Sequence, residues 1–147
     1  MTREITPEDQ ARLDSLKQAW QQQRQITERL SHIKKKIGVY SGKGGVGKTT
    51  VAVNLAVTLA RNGYRVGLLD ADIDCPNASN VLGARGKPEV QDGLIVPPEV
   101  HGVKILSMSL FQEDEEEAII WRGPMIHNAI NQFLQTTAWG DLDCLVV

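Results

Sequence analysis

Cysteine is scarce in this chain of 147 residues: Cys75 and Cys144 stand far apart, with no C-x-x-C pair between them. That excludes a disulfide-stapled scaffold and makes a reducing cytoplasm the expected location. Long apolar runs are missing as well. No stretch approaches the length needed to span a bilayer, and the charged, polar N-terminus lacks the apolar segment of a secretory signal. Neither sign of charge dominates, the formal net charge being −2. Nothing in that balance calls for nucleic acid or an anionic membrane, so neither is expected as a partner. There is no internal repeat, and glycine gathers at turns rather than in a low-complexity tract. The length suits one domain with a core of its own.

What is present centres on Ser41-Gly42-Lys43-Gly44-Gly45-Val46-Gly47-Lys48-Thr49-Thr50, which fits G-x-x-x-x-G-K-[ST]. Ile37-Gly38-Val39-Tyr40 before it reads as a short buried strand. The segment from Val51 to Ala60 after it has apolar residues at helical spacing, and Gly63 is placed to end that helix. Strand, glycine loop and helix is the context a phosphate-binding loop requires. Glycines let backbone N–H groups approach phosphate oxygens, and the helix adds its unsatisfied amides and the positive end of its dipole. Lys48 is expected to bridge the β- and γ-phosphates of ATP, and the Thr49 hydroxyl to ligate Mg²⁺. The expected nucleotide-binding set is Gly42, Lys43, Gly44, Gly45, Val46, Gly47, Lys48, Thr49 and Thr50.

Upstream, residues 1–36 read as a helical extension. Thr6 is its N-cap, Pro7 its first residue, and Leu13, Leu16, Trp20, Ile26, Leu30 and Ile33 form a narrow apolar stripe. The stripe suits packing on the domain surface or docking of a partner, and Lys34-Lys35-Lys36 reads as a solvated lead-in to the first strand. Residues 37–147 read as the nucleotide-binding domain. A second strand at 65–70 ends beside the phosphate loop, because right-handed βαβ connections place it there. The carboxylates that follow, Asp70, Asp72 and Asp74, need their charge compensated next to a triphosphate. Asp72 is expected to hold Mg²⁺ through water or to orient the attacking water, with Asp70 as an anchor. Asp74 and Asn77 suit turn or cap roles before a short helix at 77–82, and Cys75 reads as a small buried filler. A surface loop over 83–101, a third strand at 103–108, a solvated acidic loop at 113–117, a helix opening at Trp121–Met125 and running to Thr137, and a fourth strand from Asp141 complete the chain. Arg122 fits either a contact to phosphate or a partner subunit, or a surface ion pair. His101 and His127 are isolated and are assigned no metal.

Lys43 is a second lysine that the general motif does not demand, and K-G-G-x-G-K-T-T resembles the deviant Walker A loop of the MinD/ParA, nitrogenase iron-protein and Mrp/ApbC ATPases. Together with Asp70–Asn77, Trp121–Met125 and the Trp139-Gly140-Asp141-Leu142-Asp143 run before an apolar strand, it is similar to the Mrp/ApbC iron–sulfur cluster carrier ATPases over about residues 34–147. The resemblance implies an α/β P-loop NTPase: a homodimer in which Lys43 and Lys48 serve catalysis with Asp72, Lys43 reaching the other subunit's phosphates. It also implies delivery of an iron–sulfur cluster to client apoproteins, although this stretch contains no plausible ligand set for one. The alternative is a ParA/MinD-like ATPase switch for partitioning or positioning.

The resembling fold further implies a parallel sheet of about four strands in the order 103–108, 65–70, 143–147, 37–40. In that family an aspartate and a D-x-P-P-G-T-x-D segment follow the fourth strand, whereas this sequence stops at Val147. The chain is therefore expected to be an N-terminal portion truncated before the Walker B aspartate. Alone it is expected to be catalytically inactive, and to be poorly soluble or oligomeric through the open edge at 37–40.

Overall fold

The computed structural model describes residues 6–72, 75–111 and 129–147. In chain order the elements are α1 (Pro7–Ser31), β1 (Ile33–Ile37), α2 (Lys48–Arg61), β2 (Val66–Asp70), α3 (Ala78–Leu82), β3 (Glu89–Gln91), β4 (Leu94–Val96), β5 (Glu99–Val100), β6 (Val103–Ser107), α4 (Ala129–Thr136) and β7 (Leu142–Val146), with a 3₁₀ turn at Met108–Phe111. The main sheet runs β1-β7-β2-β6-β5. Its first four strands are parallel, in the order that the resemblance implied.

Apolar residues cover both faces of β2 and β6, as a parallel sheet packed on two sides demands. Val66, Leu68, Val103 and Ile105 pack with Ala52, Val53 and Ala56 of α2 and with Leu82 of α3. Leu69 and Leu106 join Ile33, Phe133, Trp139, Leu142 and Leu145 in a second cluster. The rings of Phe111 and Phe133 stack at 5.8 Å between centroids.

Three expectations need correction. The first strand lies at Ile33–Ile37 rather than 37–40, so the triple-lysine run is the strand itself and not a lead-in. Pairing decides this: Ile33 sits opposite Leu142 and is buried, while Tyr40 is almost fully exposed. Backbone bonds do continue past the strand, from Val147 N–H to the Ile37 carbonyl (2.8 Å) and from Val39 N–H to the Val147 carbonyl (2.7 Å). Lysines along an edge strand are the charges that discourage edge-to-edge pairing, which weakens the case for a sticky edge there.

Second, the surface loop at 83–101 contains a hairpin, β3–β4, and the strand β5, which pairs antiparallel with β6. The main sheet therefore has five strands and is not wholly parallel. Both turns are two-residue links in left-handed conformation: Asp92 (φ 51°) with Gly93 (φ 75°), and His101 (φ 53°) with Gly102 (φ 77°). Such pairs suit the twist of a hairpin.

Third, α1 packs on the domain only near its C-terminal end. Thr6 and Asp9 form the expected start, the Thr6 hydroxyl accepting from Asp9 N–H while the Asp9 carboxylate accepts from Thr6 N–H. Ile26 is the one buried residue of the helix, and Gln135 of α4 donates to Gln25. Leu13, Leu16 and Trp20 remain exposed. The acidic run, Trp121–Met125 with Arg122, His127 and Asp74 lie outside the described residues.

At the amino-terminal end of the sheet, Asp143 ties three strands together. Its carboxylate accepts from Lys34 Nζ of β1 (2.7 Å) and from the Arg65 backbone N–H (2.9 Å) and Nε (3.2 Å) just before β2. The Arg65 side chain, then Lys34, then the Arg65 amide hold the Asp143 carboxyl well below its ordinary value of 3.8. A depressed carboxyl contributes stability that is present above the unfolded value and lost as pH falls through the folded one. Asp143→Asn should therefore lower Tm most at neutral pH, with the gap from wild type narrowing as pH falls below 3.8. Thermal melts of both proteins across pH measure this directly.

Candidate functional site

The site grows from the carboxyl ends of β1, β7 and β2, where open α/β sheets place their ligands. Ser41 closes the start of the phosphate loop on itself: its hydroxyl accepts from Lys43 N–H (3.0 Å) and donates to the Lys43 carbonyl (2.9 Å). Gly45 (φ 70°) and Gly47 (φ 95°) then take left-handed backbone conformations that only glycine adopts without strain. Gly47 is the N-cap of α2 and its carbonyl accepts from Val51 N–H at 2.9 Å, but no side chain caps this helix. The loop is solvent-exposed, and the start of the helix adds its uncapped amides and the positive end of its dipole. A Cβ added at Gly42 or Gly44 would meet nothing within 4 Å. Packing inside the protein does not require glycine there; close approach by a ligand would.

Lys48, Thr49, Asp70, Ala71 and Asp72 line one cleft of about 280 Å³, together with Tyr40, Ser41 and Val147. Lys48 Nζ lies folded over the loop, 3.5 Å from the Lys43 carbonyl. Across the cleft, Asp70 organises the turn after β2. Its Oδ1 accepts from Asp72 N–H (3.1 Å), and its Oδ2 accepts from the Asn77 (3.0 Å) and Ala78 (2.9 Å) amides. Asp70 therefore caps α3 from a distance. Asn77 occupies the cap position without capping through its own side chain, and its Oδ1 accepts instead from Asn80 Nδ2 at 3.3 Å. Asp72 is less committed: Oδ1 accepts from Cys75 N–H at 3.0 Å, and Oδ2 has no partner among the described residues.

The structure brings three of the sequence-derived candidates together: Lys48, Thr49 and Asp72. Gly42, Lys43, Gly44, Gly45, Val46 and Gly47 form the exposed loop above them, and the Thr50 carbonyl accepts from Asn54 Nδ2 within α2. Cys75 is exposed, which corrects its reading as a buried filler. Its amide donates to Asp72, which is exposed as well. A hydroxyl and a carboxylate oxygen are hard donors, the set Mg²⁺ prefers. Among the described residues no group of three or more His, Cys, Asp or Glu side chains is placed to hold a metal ion. Sequence reading missed Ser107, whose hydroxyl donates to Asp70 Oδ2 at 3.2 Å. Its position at the carboxyl end of β6, on the same sheet edge, was the available signal. A larger hollow of about 780 Å³ runs along α1 beside Trp20 and Arg24, away from this chemistry.

A parallel sheet whose first strand leads through a G-K-G-G-V-G-K-T loop into a helix, opposite an aspartate-bearing turn, is the arrangement of a P-loop NTPase. Residues 32–147 match the family described as NUBPL iron-transfer P-loop NTPase, of ParA type, and the chain belongs to it. It is 50% identical over 121 residues to an iron-sulfur cluster carrier protein of Deinococcus radiodurans, covering 80% of this chain and 34% of that protein. It is 47% identical over 136 residues to one of Methanococcus maripaludis, covering 91% of this chain and 47% of that protein. The chain thus spans between a third and a half of the length of these curated relatives. Among solved structures, a nucleotide-binding protein from Archaeoglobus fulgidus in complex with ADP aligns at a TM-score of 0.70 and 38% identity, over 84% of this chain and 47% of that one.

Proposed function

We propose that the chain binds Mg·ATP at Gly42–Thr50, and that the whole protein hydrolyses it and couples nucleotide state to delivery of an iron–sulfur cluster to client apoproteins. The observation that carries this reading is the shared cleft of Lys48, Thr49 and Asp72 beside a solvent-exposed glycine loop. The printed names of the relatives and the ADP bound to the Archaeoglobus protein support it. In this reading α1 (Pro7–Ser31) is the helical extension, and the nucleotide-binding domain begins with β1. Lys48 neutralises the β- and γ-phosphates, while Thr49 and Asp72 supply oxygen atoms for Mg²⁺, directly or through water. Lys43 is solvent-exposed, and it serves a homodimer by reaching the partner's nucleotide. The cluster is cargo, held by residues outside this stretch, in a reducing cytoplasm. The ParA/MinD-like positioning switch is less well supported, because the relatives compared above carry the carrier's name.

Two measurements test the reading. Calorimetric titration of the chain with Mg·ATP and with ADP should show one site per chain; no heat with either nucleotide would remove the binding claim. Anaerobic reconstitution of the whole protein with iron and sulfide should produce the visible absorbance of a cluster. A colourless protein that still binds nucleotide would leave the ATPase and discard the carrier.

A further inference from the structure

We propose that a chain of three serine hydroxyls, Ser79, Ser109 and Ser107, positions Asp70 and the Asp72, Asn77 and Ala78 amides bonded to it, and thereby sets where Asp72 stands in the cleft. The serines come from three places: Ser79 from α3, Ser107 from the end of β6, and Ser109 from the 3₁₀ turn that follows it. Ser79 is 2% exposed and Ser107 fully buried. Buried hydroxyls are costly unless paired, so their partners are determined by the structure around them.

The direction of each bond follows from counting protons. A serine hydroxyl has one hydrogen to give. Ser107 gives its hydrogen to Asp70 Oδ2, at 3.2 Å. The 2.9 Å contact between Ser107 and Ser109 must then run from Ser109 to Ser107. Ser109 has thereby spent its own hydrogen, so its contact with Ser79 must be donated by Ser79. The chain points one way, Ser79 to Ser109 to Ser107 to Asp70, and ends on a carboxylate, where hydrogen bonds are strongest.

That carboxylate is the hub of the turn. Besides Ser107 it accepts the amides of Asp72, Asn77 and Ala78. Ser79 follows Ala78 in sequence, so the start of α3 is joined to Asp70 twice: directly through amides, and by the longer route through β6. The ring fixes Asp70 against a strand of the central sheet. A neighbour of Asp70 cannot move without breaking a bond to a residue that packing holds still. Ser107 and Ser109 are positioning residues in this scheme, since neither lines the cleft that holds Lys48 and Asp72.

The kinetic consequence rests on the hydrolysis proposed above; the anchoring itself does not. In the full chain, Ser107→Ala should speed amide hydrogen exchange at Asn77 and Ala78 by about tenfold, the size of one lost bond to a charged group, and leave the α2 amides unchanged. Ser109→Ala, at a half-buried site, should act in the same direction more weakly, and Ser79→Ala least. In protein that turns over ATP, Ser107→Ala should lower kcat about tenfold and keep nucleotide affinity within about twofold. Adding it to Asp70→Asn should cost little more, because the serines act through Asp70. Unchanged exchange at Asn77 and Ala78, or equal acceleration in α2, overturns the proposal. So does an unchanged kcat in an active protein, or full additivity with Asp70→Asn. If wild-type protein does not hydrolyse ATP, the hydrolysis reading fails on its own, and the exchange result still decides whether the serines hold the turn.

Discussion

Lys48→Ala should reduce ATP turnover of the whole protein by roughly 100-fold or more, the loss expected when a preorganised donor to developing charge is removed. The reasoning is geometric. Lys48 is the first residue of α2 and lines the cleft with Asp72, and its ammonium lies 3.5 Å from the Lys43 carbonyl, directly over the loop. In phosphoryl transfer most of the catalysis is positioning and charge stabilisation. Among the described residues no other lysine or arginine lines this cleft to take over the task. Lys43→Ala should behave differently. Lys43 is exposed and its side chain has no partner among the described residues, so its loss should lower turnover more than nucleotide affinity. Steady-state hydrolysis beside equilibrium titration separates the two variants. Retained turnover in Lys48→Ala would remove the phosphate-loop assignment, and equal losses of binding and turnover in Lys43→Ala would remove the trans role.

The parts legible in sequence are those where one residue type has one physical use. Gly45 and Gly47 are glycines because their φ angles are positive, and the pattern that contains them announces the loop before any coordinate is known. The parallel order of β6, β2, β7 and β1 followed from the resemblance, and apolar runs marked three of those strands. What failed to show were features that depend on residues distant in sequence. β1 reads as polar, Ile-Lys-Lys-Lys-Ile, because an edge strand needs only one apolar face and Lys34 has its partner more than a hundred residues away in Asp143. Sequence reading made Asp70 an anchor without showing what it holds; only the folded chain shows it accepting from three amides and a serine, while Asp72 keeps one oxygen without a partner among the described residues. The hairpin at Asp92-Gly93 was the exception, since that dipeptide is itself a turn signal and was available to be read.

Gly67→Val should destabilise the fold by about 3 kcal/mol, at the upper end for overpacking a filled core, and lower Tm by roughly 10 °C for a chain of this size. Gly67 lies in β2 with strands on both sides, and its backbone is not in the left-handed region. Turn chemistry therefore does not explain the glycine. Space does. A Cβ built there would stand 2.7 Å from Leu142 Cδ1, 2.9 Å from Leu145 Cδ1 and 3.0 Å from Trp139 Cε3. The two leucine methyls end flexible side chains and can turn aside; the Trp139 ring is 2% exposed and has little freedom to do so. A single methyl should consequently be tolerated better than two more. In Gly67→Ala, strain of about 1–3 kcal/mol is partly offset by the lower entropy of the unfolded chain, worth about 0.4–1 kcal/mol. The order wild type, Ala, Val should appear in denaturant midpoints without a change in slope. Trimming the obstruction should couple to the substitution, so Gly67→Ala combined with Leu142→Val should cost less than the sum of the two alone. Strict additivity would mean that the close approach of Leu142 to β2 is not what keeps position 67 without a side chain.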